Sequence, residues 1–138
     1  RRALSKKTWP GVWTNSMCGH PGPDETNADA IRRRGVDELG LEVDSFLDIQ
    51  EILPDYQYRA VDASGIVEWE LCPVHLVRLA VGEFVEPLDD EVEEFEWVEP
   101  QKLFDAVDTT PFVFSPWLVD QLSAPELRQA ILEAFDAE

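Results

Sequence analysis

The run from Trp9 to His20, W-P-G-V-W-T-N-S-M-C-G-H, sets the Cys18 thiol and the His20 imidazole two residues apart behind a rigid aromatic lead-in. In an extended backbone alternate side chains point to one face, so Cys18 and His20 are expected side by side. Glu68 and Glu70 repeat the arrangement farther along, with Val67, Trp69 and Leu71 facing the other way. A thiol, an imidazole and two carboxylates can then share one pocket, and all of them are groups able to carry protons.

Short elements in mixed order must hold these groups. Thr26 followed by Asp29 resembles a capping box, Gly40 is a good C-terminal stop, and Ile31, Gly35 and Leu39 recur at helical spacing, which predicts a helix over about 27–39. Extended segments are expected at Phe46 to Leu53, Tyr56 to Val61, Ile66 to Leu79 with Pro73 interrupting, and Glu93 to Val98. The Ala63-Ser64-Gly65 turn makes a hairpin of the second and third. Ser115-Pro116 supplies a cap and a first-turn proline for one helix, and Ala124-Pro125-Glu126 opens a last amphipathic one. The acid-rich stretch Glu83 to Glu99 reads as a solvated loop and edge strand. The expected class is α+β, helices packed on a sheet, in a single domain over residues 1–138.

No stretch approaches the roughly 20 apolar residues of a membrane span. There is no leader-like start, and two cysteines without framework spacing point to reduced thiols in a cytoplasm. The net charge of −18 is uneven: residues 1–36 hold seven of the eleven basic residues against three acids, so that segment is +4 and the remainder −22. A basic island on an acidic body repels long nucleic acid yet offers a focused site to a small anion such as a diphosphate.

Within the helix, Arg34 and Glu38 emerge one turn apart, beside the polar pocket. The spacing Gly19, Glu25, Arg33, then Asp37-Glu38-Leu39-Gly40-Leu41 resembles the Nudix box, a loop and helix whose acids hold divalent metal against a diphosphate. Arg34 stands where that box usually has glutamate, Gly35 replaces the apolar residue after it, and Asp37 replaces the first glutamate of the closing pair. These departures remove metal ligands that a hydrolase needs, and they fit one branch of the superfamily. T-W-P-G-V-W-T-N-S-M-C-G-H-P, A-I-R-R-R, E-L-G, Y-R-A, S-G-I-V-E-W-E-L-C-P-V, D-D-E-V and F-S-P-W together resemble the type 1 isopentenyl diphosphate isomerase family over nearly the whole chain.

The resemblance implies an α/β/α sandwich with a Nudix-like mixed β-sheet, and an enzyme that interconverts isopentenyl and dimethylallyl diphosphate in isoprenoid biosynthesis. It makes Cys18 and Glu70 the two acid/base groups, Tyr58 the support of the glutamate and Trp117 the shield of a cation. It further implies His20, Glu68 and Glu70 as ligands of Mn²⁺ or Zn²⁺, Glu38 as the holder of Mg²⁺ on the diphosphate, and Arg2, Lys6 and Arg34 as contacts to its oxygens. The partner is a small allylic or homoallylic diphosphate, with neither nucleic acid nor membrane, and the oligomeric state stays open. Family members carry an upstream segment with an early strand, two metal-binding histidines and a lysine, so the chain starting at Arg1-Arg2 is expected to lack it.

The chemistry agrees with those roles. Protonating an unactivated alkene creates a tertiary cation, which requires proton donor and acceptor on opposite faces and the exclusion of water. A tryptophan face stabilises a desolvated cation by roughly 2 kcal/mol, and binding of the unreactive diphosphate holds the small hydrocarbon in register. Singly, Trp117 reads as core, Tyr58 as a strand aromatic and Cys18 as a small buried hydrophobe; the joint match carries the assignment. Three rivals are a zinc site of Cys18, His20, Cys72 and His75, a Nudix diphosphate hydrolase, and a non-catalytic acidic interaction domain or inactive fragment.

Overall fold

The computed structural model describes residues 1–137. Helix α1 spans Asn27–Leu39, as expected, with the Thr26 hydroxyl accepting from the Asp29 amide. Gly40 closes it in the left-handed region at φ 65°, its N–H returned to the helix carbonyls, and a side chain there would also collide with the Glu86 carbonyl. Strands β1 (Phe46–Leu53), β2 (Gln57–Val61), β3 (Val67–Leu71) and β4 (Val74–Leu79) follow, then α2 (Pro100–Thr109), α3 (Pro116–Gln121) and α4 (Pro125–Asp136). Ser115 caps α3, its hydroxyl accepting from the Leu118 amide, and each of the last three helices carries proline in its first turn.

β1 pairs antiparallel with β4, and β2 antiparallel with β3. Pro73 therefore does more than interrupt one strand: β3 and β4 belong to different ladders. Hydrophobic clusters flank the β1–β4 ladder. Leu39, Leu41 and Phe46 gather Ile31, Ile49 and Val77 beneath α1, where Gly35 lets the Phe46 ring approach the helix closely. Phe104, Val107, Leu118, Leu122 and Leu127 of the C-terminal helices pack with Ile52, Leu53 and Val74. The α+β class is as expected.

The alternation read in β3 is real, but its sense is the reverse of an ordinary amphipathic strand. Glu68 and Glu70 are the partly covered face, whereas Trp69 is 75 % and Leu71 70 % exposed. Two expectations need correction. Glu93 to Val98 is not a strand: Val92 makes an isolated antiparallel bridge with Arg2, and among the described residues the alternating Phe95 and Trp97 have no partner strand. The run before His20 is irregular rather than extended. The sequence reading also missed α2, although Glu99-Pro100 and the spacing of Leu103, Phe104 and Val107 signalled it.

Candidate active site

A cleft of about 1180 Å³ is lined by Arg2, Lys6, Cys18, Arg34, Glu38 and Trp117, among others. A smaller hollow of about 90 Å³ adjoins it and is lined by His20, Glu70, Cys72 and His75. Cys18 and Arg34 line both. The thiol thus stands where the two hollows meet, with Arg34 lining both and Glu70 in the smaller one.

Backbone register builds the carboxylate side. Tyr58 lies directly opposite Glu70 across the β2–β3 ladder, and Ala60 opposite Glu68. The Tyr58 hydroxyl is 3.0 Å from Glu68 Oε2 and 3.5 Å from Glu70 Oε2, so its one proton is offered to the glutamate pair. Burial and the Glu68 hydrogen bond push the phenol well above its ordinary pKa, which keeps it a donor. Glu68 also accepts from the Thr8 hydroxyl. At the other oxygen of Glu70, His20 Nε2 lies 3.3 Å from Oε1.

The neighbouring Cys72 thiol, burial and the nearby Glu70 charge push the pKa of the Cys18 thiol far up. It keeps its proton at neutral pH, the state required of an acid.

Trp117, only 3 % exposed, closes the cleft with an aromatic wall. Trp9 meets it edge-on at 5.3 Å and Tyr58 lies tilted at 5.5 Å. Asn15 Oδ1 accepts from the indole Nε1 at 2.9 Å. The Arg2 guanidinium sits 5.3 Å from the Trp117 ring centroid while donating to the Thr8 carbonyl at 3.0 and 3.2 Å. A cation therefore already rests against the face assigned to shield one. Trp9 adopts a positive φ of 41°, and its amide donates to Asp62 Oδ2 at 2.8 Å, which ties this aromatic residue to the β2–β3 turn.

Within the large cleft the basic residues are balanced by the chain's own acids. Arg34 Nε donates to Glu38 Oε1 at 2.7 Å, and the same guanidinium approaches Glu91 Oε2 at 3.5 Å. Lys6 pairs with Glu91, and Arg1 with Glu94 at 2.7 Å. The acid-rich stretch read as a solvated loop is thus the counter-charge of the basic island. Glu38 is 7 % exposed, and burial raises its pKa against the opposing pull of Arg34. Arg33 grips Glu25 with both forks at 2.8 and 2.9 Å and also donates to the His20 carbonyl, so these Nudix-box positions pin the loop carrying His20 to α1.

The structure brings His20 to Glu70 and joins Glu68 to Glu70 through Tyr58, but places Glu38 apart with Arg34. Among the described residues no group of His, Cys, Asp and Glu side chains converges as a metal site. The imagined zinc set of Cys18, His20, Cys72 and His75 shares the small hollow without converging, His75 being turned to Glu51 at 3.3 Å. Likewise Glu38 has committed Oε1 to Arg34. The side chains present thus do not by themselves fit a complete metal site. Thr8, Asn15, Asp62 and Glu91 were missed as site-building residues; Thr8 and Asn15 lay within the quoted motif T-W-P-G-V-W-T-N-S-M-C-G-H-P and Glu91 within D-D-E-V.

Known proteins share these features. The NUDIX domain family matches residues 1–118. An isopentenyl-diphosphate Delta-isomerase of Corynebacterium glutamicum is 99 % identical over 138 residues, all of this chain and 73 % of that protein. The Corynebacterium efficiens protein of the same name is 86 % identical over the same shares, and that of Corynebacterium diphtheriae 53 % identical over 95 % of this chain and 71 % of its own length. The crystal structure of DR0079 from Deinococcus radiodurans shares the fold, with TM-score 0.62 at 18 % identity over 89 % of this chain and 70 % of that one. No helix among the described residues is long and apolar enough to cross a membrane. With a NUDIX match over most of its length and relatives this similar, the chain belongs to the isopentenyl-diphosphate Delta-isomerase family of NUDIX-domain proteins.

Proposed function

We propose that this chain interconverts isopentenyl and dimethylallyl diphosphate through a tertiary carbocation, in the cytoplasm, as a step of isoprenoid synthesis. The observation that carries the reading is the position of Cys18, between a cleft lined by Arg2, Lys6 and Arg34 and a hollow that contains Glu70. The diphosphate enters among the three basic side chains and competes there with Glu38 and Glu91. The Cys18 thiol gives its proton to the terminal alkene carbon, and Glu70 takes one from the carbon on the other side of the cation, leaving a thiolate and a carboxylic acid. Reverse transfers run the opposite reaction, and exchange with solvent resets both groups. Tyr58 donates to the glutamates and steadies the charge of the one that ionises. Trp117, Trp9 and Tyr58 exclude the water that traps a cation.

A divalent metal is the cofactor class that goes with this family. Mg²⁺ beside Glu38 and Mn²⁺ or Zn²⁺ beside His20, Glu68 and Glu70 are the finer assignments. Because the described side chains do not close such a site, no step is routed through it. The test sets proton-NMR detection of dimethylallyl diphosphate formed from isopentenyl diphosphate against phosphate release from a panel of nucleotides. Isomerisation alone is expected; nucleotide hydrolysis in its place would overturn the reading, and turnover of neither would favour an interaction domain.

A further inference from the structure

Trp117 and Cys18 come from distant parts of the chain, yet the isomerase reading requires the indole face and the thiol to be set against the same few atoms. One side chain spans both. Asn15 Oδ1 accepts from Trp117 Nε1 at 2.9 Å, and Asn15 Nδ2 donates to the carbonyl of Met17, the residue before Cys18, at 2.8 Å. An indole N–H can only donate and a carbonyl can only accept, so the amide has a single orientation that satisfies both. Thr14 reinforces the link: its hydroxyl is 2.9 Å from Asn15 Oδ1 and 2.9 Å from Ser115 Oγ, the fully buried cap of the helix that carries Trp117. Backbone bonds from Trp13 to Val113, 3.1 Å, and from Ser115 to Trp13, 2.8 Å, lay the two segments alongside each other. The run carrying Cys18 has no ladder of its own, so side-chain bonds must fix the thiol.

The geometry points to Asn15 as a positioning residue that sets the Cys18 thiol relative to the Trp117 face. This inference rests on the isomerase reading for its kinetic consequence and on the hydrogen bonds alone for its structural one. A displacement of about 1 Å costs on the order of a hundredfold in rate when reacting groups must meet in register. Asn15 therefore acts on turnover more than on substrate capture, which Arg2, Lys6 and Arg34 provide.

The test compares Asn15→Leu, Asn15→Asp and Thr14→Val in the full-length protein. For Asn15→Leu, kcat should fall by about tenfold or more while KM for isopentenyl diphosphate stays within about threefold. The indole N–H resonance of Trp117 should shift, and Cys18 should be alkylated faster by iodoacetamide. Asn15→Asp keeps an acceptor for the indole and loses the donor to Met17, so it should hold the indole resonance near its place, speed alkylation and give an intermediate kcat. Thr14→Val removes the hydroxyl that braces Asn15 Oδ1 against Ser115 but leaves the Asn15 bonds to Trp117 and Met17 in place, so kcat should fall by less than in Asn15→Leu. Asn15→Leu with kcat near wild type, or with a loss no larger than that of Thr14→Val, would overturn the inference. Were the wild-type protein to isomerise nothing, the isomerase reading would fall by itself, and the indole shift and alkylation rate would still decide whether Asn15 holds the two groups.

Discussion

The side of the cleft proposed for proton transfer and the side proposed for the diphosphate are built by different physics. Tyr58 and Trp117 are placed by strand register, ring packing and the Trp117–Asn15 hydrogen bond, which a substrate can leave intact. Lys6 and Arg34 are placed by ion pairs with Glu91 and Glu38, which an incoming diphosphate must loosen or outbid. One side is preorganised for chemistry. The other exchanges internal counter-ions for a ligand, so part of its Coulomb attraction is already spent before binding.

The sharpest way to break this comparison is to remove a proton carrier. Cys18→Ala and Glu70→Gln should each lower isomerisation by at least about a hundredfold, the scale of a lost acid or base, with far-ultraviolet circular dichroism unchanged. Near-normal turnover in either variant would take that residue out of the reaction. On the same side, Trp117→Leu should lose about thirtyfold in kcat, the equivalent of a cation–π contact of roughly 2 kcal/mol. Trp117→Phe should retain more, because the ring face survives. Equal kinetics in the two would reduce Trp117 to packing.

The diphosphate side should answer in stability as well as affinity. Arg34→Ala strands Glu38 as a buried carboxylate without its guanidinium, and it removes a charge-assisted contact to the ligand typically worth about 1.5 to 3 kcal/mol. Unfolding temperature and calorimetric affinity for a diphosphate analogue should therefore both fall. Adding Glu38→Gln to Arg34→Ala should recover stability without recovering affinity, since the orphaned charge is gone but no cation returns. If the single variant binds like wild type, Arg34 serves Glu38 alone.

The two sides also differ in how far they were legible. Thr26, Gly40, Ser115 and the prolines announced α1, α3 and α4 because capping is local chemistry between near neighbours. Period-two alternation placed Glu68 and Glu70 together on the pocket face with Trp69 and Leu71 on the other, as the structure has them, yet alternation does not say what a face or strand packs against, so the exposure of Trp69 and Leu71 was not legible. The same limit made a strand of Glu93 to Val98, where alternation continues but, among the described residues, backbone pairing with the N-terminal segment ends at Glu94. Arg34 and Glu38 were readable as neighbours from helical spacing, whereas Glu91, the counter-ion shared by Lys6 and Arg34, comes from a distant loop. Nothing local in the sequence joins Asn15 to Trp117 or Asp62 to Trp9.

The smallest expected effect concerns two carboxylates that pin each side. Glu25 is held near pKa 2 by Arg33 and the Gly22 amide, and Asp62 near 2 by the amides of Trp9 and Ser64 and by the Ser64 side chain. Both lie below their ordinary values, so each contributes stability that is fully present above about pH 5 and is lost as pH falls toward 2. Thermal unfolding of the wild type should weaken over that window. Glu25→Gln and Asp62→Asn should each flatten the slope there, because the titrating group is gone, while lowering the plateau at neutral pH. The local consequences should separate: Glu25→Gln frees the loop bearing His20, and Asp62→Asn frees Trp9 from its strained conformation and alters tryptophan emission. An unchanged slope in both variants would mean that neither carboxylate is linked to folding as its hydrogen bonds imply.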